Sequence, residues 1–388
     1  MKYLLLTLLY LFSAVNTLFS QSNLQYNLNM YRDGDSIVKQ QVTYRDAERS
    51  GENVLWDFSQ LETIDKKYQL VYSKFVPTDS LIIGIEHRTM YKYGLSGDSL
   101  LLWGYENPTT KIRNQFPELL LRFPFQYKSR IKSYYSGKGE YCDRMDMSVM
   151  GTTQSEADAY GMIILPNKDT LRNVLRIKNR KLLIEDIRSK ELFPVIKDTI
   201  RSEDLADSIE YRLSSDSIVV AVETYRWYVK GYRYPIFETI RTGNLRDSLK
   251  NEYFSTAFFY PPDEHIYLKD DKENLLVLEE LRLDDELKQS RNSNSSQKGL
   301  DFLSQFSYNV YPNPVKTRLY VEYYVDRTST ISMRLYALNG HLLETNPERS
   351  INPGVSIVEI NLSAYPKGEY ILQIKVNENV LSEKIIKK

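Results

Sequence analysis

The chain has little to build chemistry from. Its 388 residues include one cysteine, Cys142, and three histidines, His87, His265 and His341. A lone cysteine excludes an intramolecular disulfide and a thiolate zinc cluster. The alternating stretch "GEYCDRMDM" predicts Cys142 on a strand, and Asp143 beside it disfavours a thiolate, so an inert residue is expected. The scattered histidines form no HExxH, and no GxSxG, P-loop or GxGxxG occurs in its required context. An excess of one charge is also missing: 51 Lys and Arg balance 51 Asp and Glu. That balance argues against a general nucleic-acid binder, which needs cations to match phosphate. No stretch beyond the N-terminus approaches the ~18 apolar residues of a membrane helix, so no transmembrane segment is expected in the mature chain.

Acidic residues are plentiful but unpatterned. "KDDKE" (269–273) lacks the alternating ligands of a calcium loop and reads as a solvated turn. Pairs such as Glu223 and Glu238 could serve a glycoside hydrolase, yet among 51 acidic residues such pairs arise by number alone. Catalytic residues, metal ligands and cofactors are therefore expected to be none.

What the chain does have is tyrosine: 31, against 14 Phe and 3 Trp. Tyrosine suits a half-buried pleated surface. The start, "MKYLLLTLLYLFSAV", places Lys2 before a short apolar run and reads as a signal peptide over 1–20, with Leu18 a poor fit to the small-residue rule at the cut. Strand-like alternation follows in "DSIVKQQVTY" (35–44), "KKYQLVYSKFV" (66–76), "SLIIGIEHRTMYKYG" and "SLLLWGYEN", separated by Gly and Asp-Ser turns. "SGENVLWDFSQL" reads as a buried strand around Trp56, and "AYGMIILPNKDTLRNVLRI" as a hairpin. Helices are expected over 203–213 and 272–289. The polar run "SRNSNSSQKG" reads as a linker. The expected division is a body over 21–287, a linker over 288–305 and a tail over 306–388, with "SYYSGKGEY" (133–141) a lesser internal boundary. The fold class is all-β and mainly antiparallel, with a sandwich-like body of one or two units.

"YRWYVKGYRYPIFE" (225–238) is the best binding candidate. Alternation puts Tyr225, Trp227 and Val229 on one face and Arg226 and Tyr228 on the other. The more apolar set is assigned to the core. Arg226, Tyr228, Tyr232 and Tyr234 are then the candidate ligand-binding residues on a solvent face, where rings beside arginines stack on a sugar or a protein partner.

The tail is a unit of short strands and turns. Ile331, Met333 and Leu335 alternate, and Asn339-Gly340 is expected to supply two positive-φ positions of a tight hairpin. Tyr370, Leu372, Ile374 and Val376 line one face. The stretches "VYPNP" (310–314), "LYALNGHLL" (335–343) and "INLSAYPKGEYILQIKVNENVLSEKIIKK" resemble the type A C-terminal sorting domain of the type IX secretion system of Bacteroidota. The matching positions are Tyr311, Pro312, Asn313, Pro314, Asn339, Gly340, Gly368 and Tyr370. The resemblance implies an immunoglobulin-like sandwich read by the outer-membrane translocon. It also implies sortase-like machinery that removes the tail and releases the cargo or anchors it at the surface. Segments 50–59, 157–178 and 225–238 resemble secreted proteins bearing this domain and bring no activity with them.

The expected protein is thus secreted or on the cell surface after Sec export through the periplasm. Its body is expected to be a non-catalytic binding or adhesion module for glycan or protein. A secreted hydrolase of polysaccharide or peptide and a structural envelope component are the alternatives.

Overall fold

The computed structural model describes residues 23–74, 81–190, 203–246, 252–292 and 306–388. The signal peptide expected over 1–20 and most of the linker expected over 288–305 lie outside them. The body holds β1 (Ser36–Val42), β2 (Gly51–Asp57), β3 (Thr63–Lys74), β4 (Leu81–Glu86), β5 (Thr89–Ser96), β6 (Ser99–Glu106) and β7 (Thr110–Arg122). Next come β8 (Arg130–Tyr141), β9 (Met145–Ile164), β10 (Thr170–Ser189), β11 (Val220–Tyr228), β12 (Phe237–Asn244) and β13 (Glu252–Phe259). Among the described residues three α-helices accompany them: α1 (Tyr26–Asn29), α2 (Leu205–Ser215) and α3 (Lys272–Asn292).

The body is a closed barrel and not the expected sandwich. Leaving β2 aside, each strand pairs antiparallel with the next in chain order, and β13 returns to pair with β1, which makes a ring of twelve. Closure removes the exposed edges that an open sheet would offer. Residues 133–141, read as a lesser boundary, form most of β8 and run through the ring without interruption. Gly139 shows how closely the strands approach there: a Cβ on it would lie 1.6 Å from the Lys111 carbonyl oxygen. Cys142 sits exposed in the β8–β9 turn with φ 51°, not on a strand.

Closure gives every strand an outer and an inner face. The outer face exposes Lys67, Lys111, Arg113, Lys132 and Arg180, a composition suited to water and not to a lipid-facing band. Leu205, Ile209 and Leu213 of α2, four residues apart, bury themselves on that face against Ile184 and Val219. Residues 43–62, which include β2, lie across it elsewhere. There Trp56 and Phe58 pack edge-on to Trp227, at 5.8 and 5.3 Å between centroids, and Phe58 stacks on Phe237. Arg176 is buried beneath this excursion, paired with Asp158 at 2.8 Å and lying over the Trp56 and Trp227 rings. β2 runs parallel to β9 along the edge that β8 leaves free beyond Glu156.

One end of the barrel is closed by chain from both termini of the body. Leu24 pairs with Phe125, and α1 carries the chain to Tyr31, whose ring stacks on Tyr72 at 4.6 Å and meets Tyr93 edge-on at 4.9 Å. Residues 262–275 complete the closure. Within the "KDDKE" run Asp271 is fully buried and accepts two bonds from Arg233, while the other four residues are exposed as a solvated turn would have them.

The tail comprises β14 (Phe306–Tyr311), β15 (Arg318–Val325), β16 (Ser329–Ala337), β17 (Leu342–Ile351), β18 (Gly354–Asn361), β19 (Gly368–Val376) and β20 (Asn379–Lys387). Strands β14, β15 and β18 form one sheet and β17, β16, β19 and β20 the other, packed over a shared apolar core as a sandwich. The hairpin at Asn339-Gly340 differs from expectation. Only Gly340 has positive φ, while the Asn339 side chain accepts from the His341 amide, because three residues and not two make the turn.

Candidate functional site

The barrel interior is the site the structure points to. It is built from alternate residues of neighbouring strands, which the closed register brings to one face. Arg226 on β11 stands opposite Glu238 on β12, and Glu238 stands opposite Phe258 on β13. Lys39 on β1 and Glu86 at the end of β4 complete an interior quartet in which Lys39 and Glu238 are buried. Lys39 bonds Glu86 and lies 3.7 Å from Glu238, with its ammonium over the rings of Phe258, at 4.0 Å, and Tyr260, at 5.3 Å. Arg226 donates to Glu238 through Nε. Burial on its own would raise the Glu238 pKa, but Arg226 and Lys39 together hold it below the usual carboxylate range. Glu238 is therefore an anion and no proton donor. Burial pushes the hydroxyls of Tyr31, Tyr91, Tyr93, Tyr228 and Tyr260 upward, so around the quartet they stay neutral.

Further along the interior, Lys181 pairs with Glu118 at 2.6 Å, Thr153 donates to the other Glu118 oxygen, and Lys181 lies over the Tyr135 ring. Asn179 donates to Ser155. Both polar clusters are satisfied largely from within, as buried charges require.

Arg226 is the exception. It keeps 38% of its side-chain surface accessible, while Glu238 beside it keeps 4%. Yet it lies on the inner face of the closed ring, beside Lys39 and Glu238, which are 2% and 4% exposed. Accessible surface on a group so enclosed borders an internal space. Tyr31, Tyr91, Tyr93, Tyr228 and Tyr260 all lie close enough to feel its charge.

The four candidate residues of the aromatic segment part company. Trp227 is fully buried under the outer excursion, as its apolar face predicts. Arg226 and Tyr228 do occupy the opposite face, but that face looks into the barrel, and Tyr228 is only 6% exposed. Tyr234 is buried at the closed end, where it donates to Asp35 and stacks on Tyr72. Tyr232 is half-buried on the outer cluster and against His265. An open solvent-face platform is thus not what these residues form. Glu223 and Glu238 do not converge either: Glu223 faces outward among Lys178, Arg180 and Arg241. The histidines stay apart, with His87 stacked on Tyr68 and His265 buried, its pKa lowered to about 4 by desolvation. Lys39, Glu86, Tyr91 and Tyr93 were not legible as site residues. The one available signal was Lys39 sharing a strand face with Ile37.

The tail docks on the body through β2. Tyr308 of β14 pairs in parallel with Val54, so the first tail sheet continues from the β9–β2 edge. Arg49 lies over the Tyr308 ring at 4.2 Å and 3.7 Å from Glu383, Asn309 bonds Glu48, and Arg172 lies 3.8 Å from Asp326. Within the tail, Asn313 of the "YPNP" stretch acts as a strand partner. Its amide donates to the Lys384 carbonyl at 2.7 Å and accepts from the Ile386 amide at 2.9 Å, fastening the proline turn of one sheet to β20 of the other.

Among the described residues no helix is long and apolar enough to cross a membrane. Among curated proteins, none matches this chain. Residues 309–388 match the family described as "Secretion system C-terminal sorting domain". With seven strands in two sheets and the proline turn in place, the tail is a type IX secretion C-terminal sorting domain, and the chain is a secreted or cell-surface protein.

Proposed function

We propose that the chain leaves the cytoplasm on a Sec signal peptide over residues 1–20 and crosses the outer membrane of a Bacteroidota cell when the type IX translocon reads residues 306–388. Sortase-like processing then removes the tail. The tail's backbone pairing with the body is the single bridge from Tyr308 to Val54 of β2 among the described residues, joined by a few side-chain contacts, and that narrow attachment supports a separable address. The test is secretion of a chain ending at residue 305 in a host with this system. Retention of a folded body in the periplasm is expected, and efficient surface delivery overturns the reading.

The body in this proposal is a non-catalytic binding module whose site is the barrel interior. The observation that carries it is accessible Arg226 surface on the inner face of a closed barrel, among tyrosines near enough to feel its charge. Ligand sites of this kind are largely preformed and apolar with a few placed polar groups. Glu238, held as an anion, favours binding over acid catalysis. Native mass spectrometry of the secreted protein, followed by a thermal-shift screen of small molecules, tests this. A retained or stabilising small molecule is expected. A screen with no hit, together with tight binding of glycan at the outer surface, overturns it.

A further inference from the structure

We propose that the barrel interior takes a monocarboxylate with an apolar or aromatic body, its carboxylate seated on the two terminal nitrogens of Arg226. This rests on reading the interior as a binding site.

The first argument is hydrogen-bond supply. Arg226 spends Nε on Glu238, and among the described residues no hydrogen bond falls on its two terminal nitrogens. A guanidinium presents those nitrogens as a planar fork, and a carboxylate answers it with two coplanar oxygens. Lys39 offers no competing seat, since it is 2% exposed and held by Glu86 and Glu238. The second argument is charge. Arg226 and Lys39 are already balanced by Glu238 and Glu86, so every charge a ligand brings is uncompensated and a single one costs less than two. A phosphate dianion would set a second charge beside two carboxylates. The third argument is the lining. Tyr31, Tyr91 and Tyr93 crowd this space with rings 4.9 and 6.2 Å apart, which suits an apolar or planar body.

The experiment uses the mature protein as it is secreted and two matched probe pairs, octanoate with octanol and cinnamate with cinnamyl alcohol, titrated by calorimetry. At least one acid is expected to bind, with its alcohol ~30-fold weaker or worse, as loss of a charged two-pronged bond implies. Arg226→Gln should weaken the acid by a similar factor and leave the alcohol unchanged. Arg226→Lys keeps the charge and loses the fork; it should cost the acid about tenfold, and it serves if the Gln variant does not fold. An alcohol that binds as well as its acid, or an acid unaffected by Arg226→Lys, overturns the carboxylate assignment and leaves interior binding standing. Failure of all four probes overturns the carboxylate assignment as well. If no ligand is retained from the secreting cells either, the interior-site reading falls with it.

Discussion

Arg233 and Asp271 meet in a two-pronged ion pair at 2.7 and 2.6 Å, both buried, at the closed end of the barrel. Arg233 also donates to the Asn27 and Met30 carbonyls, and Asn274 donates to Asp271 and Leu28. One pair therefore ties the N-terminal segment to the segment that follows β13.

Removing one partner strands the other charge. Asp271→Ala should cost about 3–5 kcal/mol, while Glu210→Ala at the exposed pair with Lys132 should cost under about 1 kcal/mol. Urea unfolding of both variants measures this. Burial favours the neutral form of Asp271, but the bonds from Arg233 and Asn274 outweigh it and lower its pKa below 3.8. A lowered carboxylate contributes stability that is present above its unfolded value and lost as pH falls through the folded one, so the pair should fail only below about pH 4.

Both faces of β11 are packed, and this changes what Trp227 and Tyr228 predict. Trp227→Ala should cost about 3–5 kcal/mol. Tyr228→Ala should also destabilise, by about 3 kcal/mol, because its ring joins the interior cluster with Leu175 and Ile177. A Tyr228→Ala variant as stable as the parent would place that ring outside the barrel.

Glu322 makes tail docking sensitive to pH. It is buried opposite Asn309, close to Asp57 and Glu48 with Arg45 as the nearby cation, and burial followed by Asp57 raises its pKa to about 7. Its Oε2 and the Asn309 Oδ1 are both buried without a partner, an arrangement a protonated Glu322 would relieve. A raised carboxylate contributes stability present below its unfolded value, 4.5, and lost as pH rises through about 7. Glu322→Gln should therefore stabilise the tail by about 2–3 kcal/mol at pH 8 and by little at pH 4.5. Equal effects at both values in denaturant melts would contradict this.

Asn313 tests how the tail holds its own two sheets together, and Gly161 tests its anchor on the body. Asn313→Ala removes two strand-like bonds and should cost the sandwich about 1–2 kcal/mol, with secretion reduced in parallel. Gly161 of β9 lies against β2, where a Cβ would sit 1.9 Å from the Val54 carbonyl oxygen. Gly161→Ala should lever β2 away at a cost of about 3 kcal/mol and expose the β2–β14 junction to proteolysis. Unchanged protease resistance would show that β2 is not the anchor.

Alternation in "DSIVKQQVTY" or "YRWYVK" already specified strands, apolar spacing specified α2, and dense leucines among strong helix formers specified α3, because those signals belong to single segments. The tail's identity was equally local, written in "VYPNP" and the turns around Gly340 and Gly368. Closure was not local. It depends on β13 finding β1 some two hundred residues away and on β2 leaving the ring to cover Trp227, and neither pairing has a signature within either strand. A period of two separates the faces of β11 but does not say what each face meets. Tertiary structure decided that the face carrying Arg226 and Tyr228 looks into an enclosed interior, since only the curl of the whole sheet determines which side of a strand is shut away from water.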